Sequence, residues 1–286
     1  MASLTTRVTF AFVWIVLITR PEWVRADDAR AAAFDPTTID RVDYVMNLDP
    51  KLEYPPHKTV MSTSAKAFWV RALARPDAQL QRVTIDTIAK AHRRGMQGLE
   101  DLVPTLSNHL QQPDLQPQLV YALAAALIEF DANDQAELLA QRSQENGLTI
   151  APLVEPALAR WKSPALAGEW LRRLDDPTTD RLSMLLAIDG LAALGETEAT
   201  ASLRRIVFDE YAPPNVRMSA AHAVGKLQVR DLEPEAAKLA DQGDSSPLAG
   251  LMAVAMLKQH DDDAAIEILQ KLVGHENSSV QSGALG

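Results

Sequence analysis

The sequence predicts an all-α fold in which pairs of helices repeat along the chain and stack into a solenoid. Ala and Leu, which favour helices, are abundant, and aromatic residues make up only 5% of the 286 residues. Alternating runs of β-branched residues, which indicate strands, are lacking. An apolar residue ends each predicted first helix, and the intervals between these residues are 39, 31, 33, 33 and 30. The six are Ala91, Phe130, Trp161, Leu194, Leu227 and Leu257.

The clearest copy of the repeat covers residues 216–227. Its apolar stripe has helical spacing and consists of Val216, Ala220, Val224 and Leu227. Three small residues beside the stripe, Ala221, Ala223 and Gly225, keep this helix thin. We therefore expect a neighbouring helix to approach it closely.

Each first helix is preceded by a turn rich in Pro, Asp, Asn or Ser, as expected at helix starts. Second helices are expected at about residues 99–111, 135–143, 165–174, 199–208, 233–239 and 264–273. The third unit is the weakest because it contains two prolines. Pro152 suits a first turn, whereas Pro156 is expected to kink its helix.

The N-terminus has the features of a secretory signal peptide over residues 1–26. Arg7 precedes an apolar segment of twelve residues, 8–19, and Val24-Arg25-Ala26 supplies small residues at a cleavage site. Twelve residues are too few to span a bilayer, which needs about 20. The prediction is export to the periplasm or the medium. The alternative is a membrane anchor formed by an uncleaved signal. An irregular segment, 27–63, is expected before the repeats, which occupy 64–286.

The best-defined units resemble a known family. Val216-Arg217, Ala220-Ala221, Ala223-Val224-Gly225 and Leu227 resemble the short HEAT-like repeat, which also occurs in proteins related to bilin lyases. Residues 187–196 resemble it too. The resemblance implies a right-handed, armadillo-like α-solenoid. It does not specify a function, because such repeats occur in scaffolds, adaptors and a few enzymes.

The last residues, 279–286, match the opening of another first helix. The sequence therefore predicts about six repeats and an incomplete seventh, and we expect the natural chain to continue beyond Gly286. The alternative is that this stub serves as a poor C-terminal cap. An incomplete helix at this position would otherwise leave an apolar patch exposed.

Composition and motifs argue against several functions. The formal net charge is −10, and cleavage after Ala26 would remove three arginines and one glutamate, which leaves −12. Such a charge disfavours nucleic acid as a partner. The chain has no cysteine, which excludes disulfides and thiol chemistry. No metal site, cofactor or catalytic residue is predicted. His275-Glu276 is a single His-Glu pair, whereas a metal site built on successive repeats would need several. Residues 261–263 are expected to cap a helix rather than bind calcium.

One pattern suggests a binding surface. Basic residues near the ends of the predicted second helices recur at intervals of 32, 33 and 33, which match the repeat period. We call these residues the basic row: Arg172, Arg173, Arg204, Arg205, Lys238 and Lys271. The row should follow one face of the solenoid and would suit a protein partner with an acidic peptide or surface. The alternative is structural, because cations near a helix C-terminus suit its dipole and their stems cover apolar surface.

These features predict an exported HEAT-repeat scaffold or adaptor that binds another protein and has no catalytic activity of its own. The alternative is a non-catalytic HEAT module of a larger exported enzyme whose remainder lies beyond Gly286. The sequence of the complete natural chain would distinguish the two, because a downstream catalytic domain would favour the second.

Overall fold

The structure is a computed structural model that describes residues 62–243 and 246–285. These residues belong to one compact unit, 57–286. They form fourteen α-helices and no strand, which confirms the predicted all-α class. The predicted signal peptide, 1–26, and nearly all of the irregular segment, 27–63, lie outside the described residues.

The helices alternate between two sets that correspond to the predicted first and second helices. A leading helix, α1, spans Thr63–Leu73. The first helices are α2 Ala78–Arg93, α4 Pro117–Glu129, α6 Ala151–Arg160, α8 Arg181–Leu194, α10 Pro214–Leu227, α12 Pro247–Leu257 and α14 Ser278–Leu285. The second helices are α3 Val103–Leu110, α5 Ala136–Asn146, α7 Ala167–Asp175, α9 Thr200–Phe208, α11 Glu233–Gln242 and α13 Asp263–Val273.

Packing between the helices follows the repeat. Each first helix contacts the next first helix, from α2 through to α14. Each second helix packs against the first helix that follows it, as α9 does on α10 and α11 does on α12. Consecutive second helices also touch, for example α7 with α9 and α11 with α13. The buried side chains of all units therefore join into one continuous apolar core.

The helices begin at polar turns, as the sequence indicated. The carboxylates of Asp77, Asp180 and Asp262 accept hydrogen bonds from backbone amides in the first turns of α2, α8 and α13. These bonds satisfy amides that have no partner within the helix. Asp262 belongs to the acidic triplet 261–263, so the expectation that this triplet caps a helix is confirmed. Pro214 and Pro247 occupy first-turn positions, where a missing N–H costs little.

Small residues set the closest helix approaches. Val216, Ala220 and Val224 are buried, as the stripe on α10 predicted. A Cβ added at Gly225 would lie 2.6 Å from the carbonyl oxygens of Ala255 and Met256 on α12. The expected close approach of a neighbouring helix is therefore present, and only glycine fits at that point.

The third unit forms a helix pair despite its prolines. Helix α6 runs from Ala151 to Arg160 with Pro156 inside it. Pro156 has no N–H to donate to the carbonyl of residue 152, so one backbone hydrogen bond is lost. Burial of Val154 and Leu158 on the same helix holds α6 in the core. Among the helices that the structure describes, none has the length and apolarity needed to cross a bilayer.

Candidate functional site

The basic row lies on four successive second helices. Arg172 and Arg173 are in the last turn of α7, and Arg204 and Arg205 are near the end of α9. Lys238 lies on α11 and Lys271 in the last turn of α13. The six side chains differ in exposure and in ion pairing, and these differences decide which of them can meet a partner.

The Arg173 side chain is nearly buried and forms an ion pair within the core. Its Nη1 lies 2.9 and 3.0 Å from the two carboxylate oxygens of Glu155 on α6, and its Nε lies 2.9 Å from Glu169. Its side chain is 11% exposed and that of Glu155 only 1%. The indole N–H of Trp170 also donates to Glu155, at 2.9 Å. Arg173 therefore neutralises a buried carboxylate and is not available to a partner.

Arg172, the adjacent residue, faces solvent. Its side chain is 59% exposed and pairs with Glu169 at 2.8 Å and with Asp176 at 3.1 Å. The hydrogen bond from Arg172 lowers the pKa of Glu169 despite its partial burial, with a further contribution from Arg173. Both partners of Arg172 belong to α7 or its C-cap, so this ion pairing is local.

Arg205 connects two second helices. Its Nη2 lies 2.8 Å from the Asp175 carboxylate and 3.1 Å from the Leu174 carbonyl at the end of α7. The Ser202 hydroxyl donates to the same carboxylate at 2.7 Å. These donors lower the pKa of Asp175, with Ser202 as the larger cause. The Arg205 side chain is nevertheless 62% exposed, so much of it remains accessible.

Two more members of the row bridge neighbouring repeats. Lys271 on α13 pairs with Asp241 on α11 at 2.7 Å, and Arg204 on α9 lies 3.3 Å from Glu235 on α11. Lys238 is exposed and forms no ion pair with any of the described residues. Four cations in the row therefore pair with carboxylates outside their own helix, and Arg172 and Lys238 do not.

Arg142, which is not a member of the basic row, extends the same arrangement towards the N-terminus. It lies on α5, 31 residues before Arg173. Its guanidinium donates to the carbonyls of Leu110 and Gln112, both at 2.8 Å, at the end of α3. Arg205 makes the same kind of contact with Leu174. Extending the repeat interval backwards from Arg173 would have identified Arg142.

Two adjoining clefts open beside the row. One, of about 550 Å³, is lined by Arg172, Arg173 and residues at the ends of α5 and α7. The other, of about 460 Å³, is lined by Arg205 and residues at the ends of α7 and α9. Asp176 and Thr179 border both clefts. Aspartates and glutamates line them beside the arginines, so the surface has mixed charge rather than a purely basic character.

The arrangement can offer polar contacts to an extended segment, because cations and carboxylates lie together at the ends of successive second helices. Five of the six cations in the row already pair with carboxylates of this chain, which a partner's carboxylates would have to replace. A scan against protein-family models finds no match for this chain, and a search of curated proteins finds no significant match.

Proposed function

We propose that this chain is an exported scaffold of HEAT-like repeats, a right-handed α-solenoid that binds a protein partner along the ends of its second helices. The observation that carries the proposal is the recurrence of exposed, ion-paired cations at the repeat interval, two of which, Arg172 and Arg205, line adjoining clefts. The alternation of first and second helices, each in contact with the next unit, supports the solenoid.

Burial separates the residues that a partner can engage from those that support the fold. The side chains of Arg172, Arg205 and Lys271 are 59%, 62% and 61% exposed. Exposed ion pairs contribute little to stability because water screens them, so a partner's carboxylate can replace an internal one at small cost. Arg173 cannot exchange in this way, since the buried Glu155 would lose its counter-charge. Within the basic row, the proposed contacts are therefore Arg172, Arg205, Lys238 and Lys271.

The spacing of the row indicates what kind of segment it suits. Packed helices are about 8–10 Å apart, and an extended peptide in the polyproline II conformation advances about 3.1 Å per residue, with every third side chain on the same face. A peptide lying across successive second helices would therefore meet a new cation about every third residue. We propose that the partner presents an extended segment with acidic side chains at that interval.

Neutralising the accessible cations tests the proposal. The chain is used to capture proteins from the exported fraction, and the dissociation constant of each captured protein is then measured with purified components. The test variant is Arg205→Gln with Lys238→Gln. The control is Lys226→Gln with Lys258→Gln, which removes two exposed charges on or next to the first helices.

Binding by the test variant should be at least about tenfold weaker than binding by the unmodified chain. The difference should be larger at low salt, because salt screens the attraction between exposed charges at an interface. The control variant should bind as the unmodified chain does. Equal binding by the two variants would show that the basic row does not form the interface.

Export is tested separately. We propose cleavage after Ala26, which would leave Asp27 as the first residue of the mature chain. Mass spectrometry of the protein recovered from the producing cell identifies its N-terminus. Protein in the membrane fraction that still begins at residue 1 would support the alternative of an uncleaved anchor.

A further inference from the structure

Three side chains converge where the turn after α10 meets the turn after α12. His260 lies just beyond α12, and its side chain is 0% exposed. Its Nδ1 lies 3.7 Å from an oxygen of Glu233, the first residue of α11, and 3.8 Å from an oxygen of Asp262, the N-cap of α13. One ligand atom from each residue lies within 4.8 Å of the others.

The hydrogen bonds of His260 determine which ring nitrogen faces the carboxylates. Its Nε2 lies 3.1 Å from the backbone carbonyl of Gln228. A carbonyl can only accept, so this contact assigns a hydrogen to Nε2, and in the neutral ring Nδ1 then carries a lone pair. The buried Nδ1 has no hydrogen-bond partner among the described residues. Nδ1 and the two carboxylates are all acceptors, and no donor or cation of the described residues lies between them. Buried acceptors of this kind need a positively charged or hydrogen-donating partner.

The distances favour a metal ion over a direct hydrogen bond or a bridging water between these groups. A direct N–H···O bond would need about 2.7–3.2 Å. A bridging water, with two hydrogen bonds of about 2.8 Å at a tetrahedral angle, would separate its partners by about 4.5 Å. Ligands about 2.1 Å from one metal, at angles of about 110–125°, lie about 3.4–3.7 Å apart. The observed 3.7 and 3.8 Å agree best with the last arrangement.

We propose that His260 Nδ1, Glu233 and Asp262 bind a divalent transition-metal ion, with Zn²⁺ as the best fit to one imidazole and two carboxylates. Zn²⁺ accepts both ligand types and is commonly four-coordinate. The Gln228 carbonyl would orient the imidazole, as partners of metal-binding histidines do. The other oxygen of Asp262 accepts from the Ala265 amide at 2.8 Å, which holds this ligand in place.

Capping alone accounts for part of the cluster but not for His260. Carboxylates at residues 233 and 262 suit the positive ends of two helices. A histidine at this turn is not required by the repeat, because the third residue after the first helix is Arg230 in the preceding unit and Thr197 in the one before that. The Glu233 and Asp262 side chains are 20% and 42% exposed, so solvent can reach the site and supply a fourth ligand.

The test uses the untagged full chain with Zn²⁺ alone, because a histidine tag would itself bind the metal. After treatment with a chelator and dialysis, calorimetry measures stoichiometry and affinity. We expect one Zn²⁺ per chain with a dissociation constant below about 100 µM. At a hundredfold excess over that constant, the melting temperature should rise by about 5–10 °C.

Three near-isosteric variants identify the ligands: His260→Gln, Glu233→Gln and Asp262→Asn. The first retains a donor for the Gln228 carbonyl, and the last retains a side chain that caps helices well. Each should weaken Zn²⁺ binding at least about tenfold while circular dichroism shows an unchanged metal-free fold. Asp261→Asn, which removes a neighbouring exposed charge outside the cluster, should bind Zn²⁺ normally.

Two results would overturn the proposal. One is the absence of binding by the unmodified chain at about 100 µM Zn²⁺. The other is unchanged affinity in His260→Gln, which would place the metal elsewhere on the chain. The metal site does not depend on partner binding by the basic row, and neither test affects the conclusion of the other.

Discussion

Replacing Arg173 with methionine should destabilise the protein far more than the same change at its neighbour Arg172. Both guanidiniums bind Glu169. Only Arg173 reaches Glu155, whose side chain is 1% exposed. Removing one member of a buried ion pair leaves an uncompensated charge and costs about 3–5 kcal/mol. Arg172 pairs at the surface, where water replaces the lost partner, so its loss should barely change the free energy of unfolding.

Unfolding of the two variants by heat and by guanidinium chloride, followed by circular dichroism and tryptophan fluorescence, measures this difference. Trp170 donates to Glu155 and is fully buried, so among the tryptophans of the chain it is the one whose emission reports on the region that Arg173 supports. For a folded region of this size, a loss of about 3–5 kcal/mol corresponds to a melting temperature lower by about 6–20 °C. Both probes are needed because arrays of repeats can unfold in more than one step.

A double variant separates the loss of charge balance from the loss of packing. When Glu155→Leu is combined with Arg173→Met, no charge of the pair remains buried, and the double variant should recover a large part of the stability lost in Arg173→Met. If Arg173→Met and Arg172→Met are equally stable, Arg173 does not neutralise a buried carboxylate. The residue would then be open again as a contact for a partner.

Two further predictions concern packing and pH. Gly225→Ala should lower the free energy of unfolding by about 2 kcal/mol. Overpacking against the fixed carbonyls of α12 should destabilise the fold by about 3 kcal/mol, and the higher helix propensity of alanine should offset about 1 kcal/mol of this. The control Gly168→Ala, in α7 with open space around its Cβ, should gain up to about 1 kcal/mol. The pKa values of Glu169, Asp175 and Asp180 are lowered in the fold by their hydrogen-bond donors. Their contribution to stability is therefore complete above the unfolded pKa of about 4 and is lost as pH falls below it.

Thermal unfolding of these variants and a pH series check both predictions. Equal stability of Gly225→Ala and the unmodified chain would mean that α10 and α12 are farther apart than the structure places them. A melting temperature that does not change between about pH 5 and pH 2.5 would contradict the ion pairing described for α7 and α9.

Much of the fold follows from local sequence. Helical spacing on α10, capping aspartates such as Asp77 and Asp180, and prolines at first turns are read from neighbouring residues. Each of these signals acts within one or two turns of helix, so the order of the helices and their approximate bounds could be predicted. The basic row could also be predicted as a pattern, because its members recur at the repeat interval.

The pairing within that row could not be predicted in the same way. Arg172 and Arg173 are adjacent in sequence, and nothing local indicates that Glu155, 18 residues before Arg173, points into the core beside one of them. The cluster of Glu233, His260 and Asp262 is equally hidden, because its members come from two different turns. A histidine and a carboxylate 27 residues apart form no recognisable motif.

The sequence by itself determined the all-helical class, the repeat interval and the approximate positions of the helices, because hydrophobic periodicity and capping act over a few residues. Only the tertiary structure decided which charges are buried, which are bridged between repeats and which are accessible. The physical reason is that burial and ion pairing depend on how neighbouring repeats stack, and stacking brings together side chains about thirty residues apart, beyond the reach of local signals. The repeat predicted where cations lie, and the packing assigned Arg173 to the core and left Lys238 at the surface.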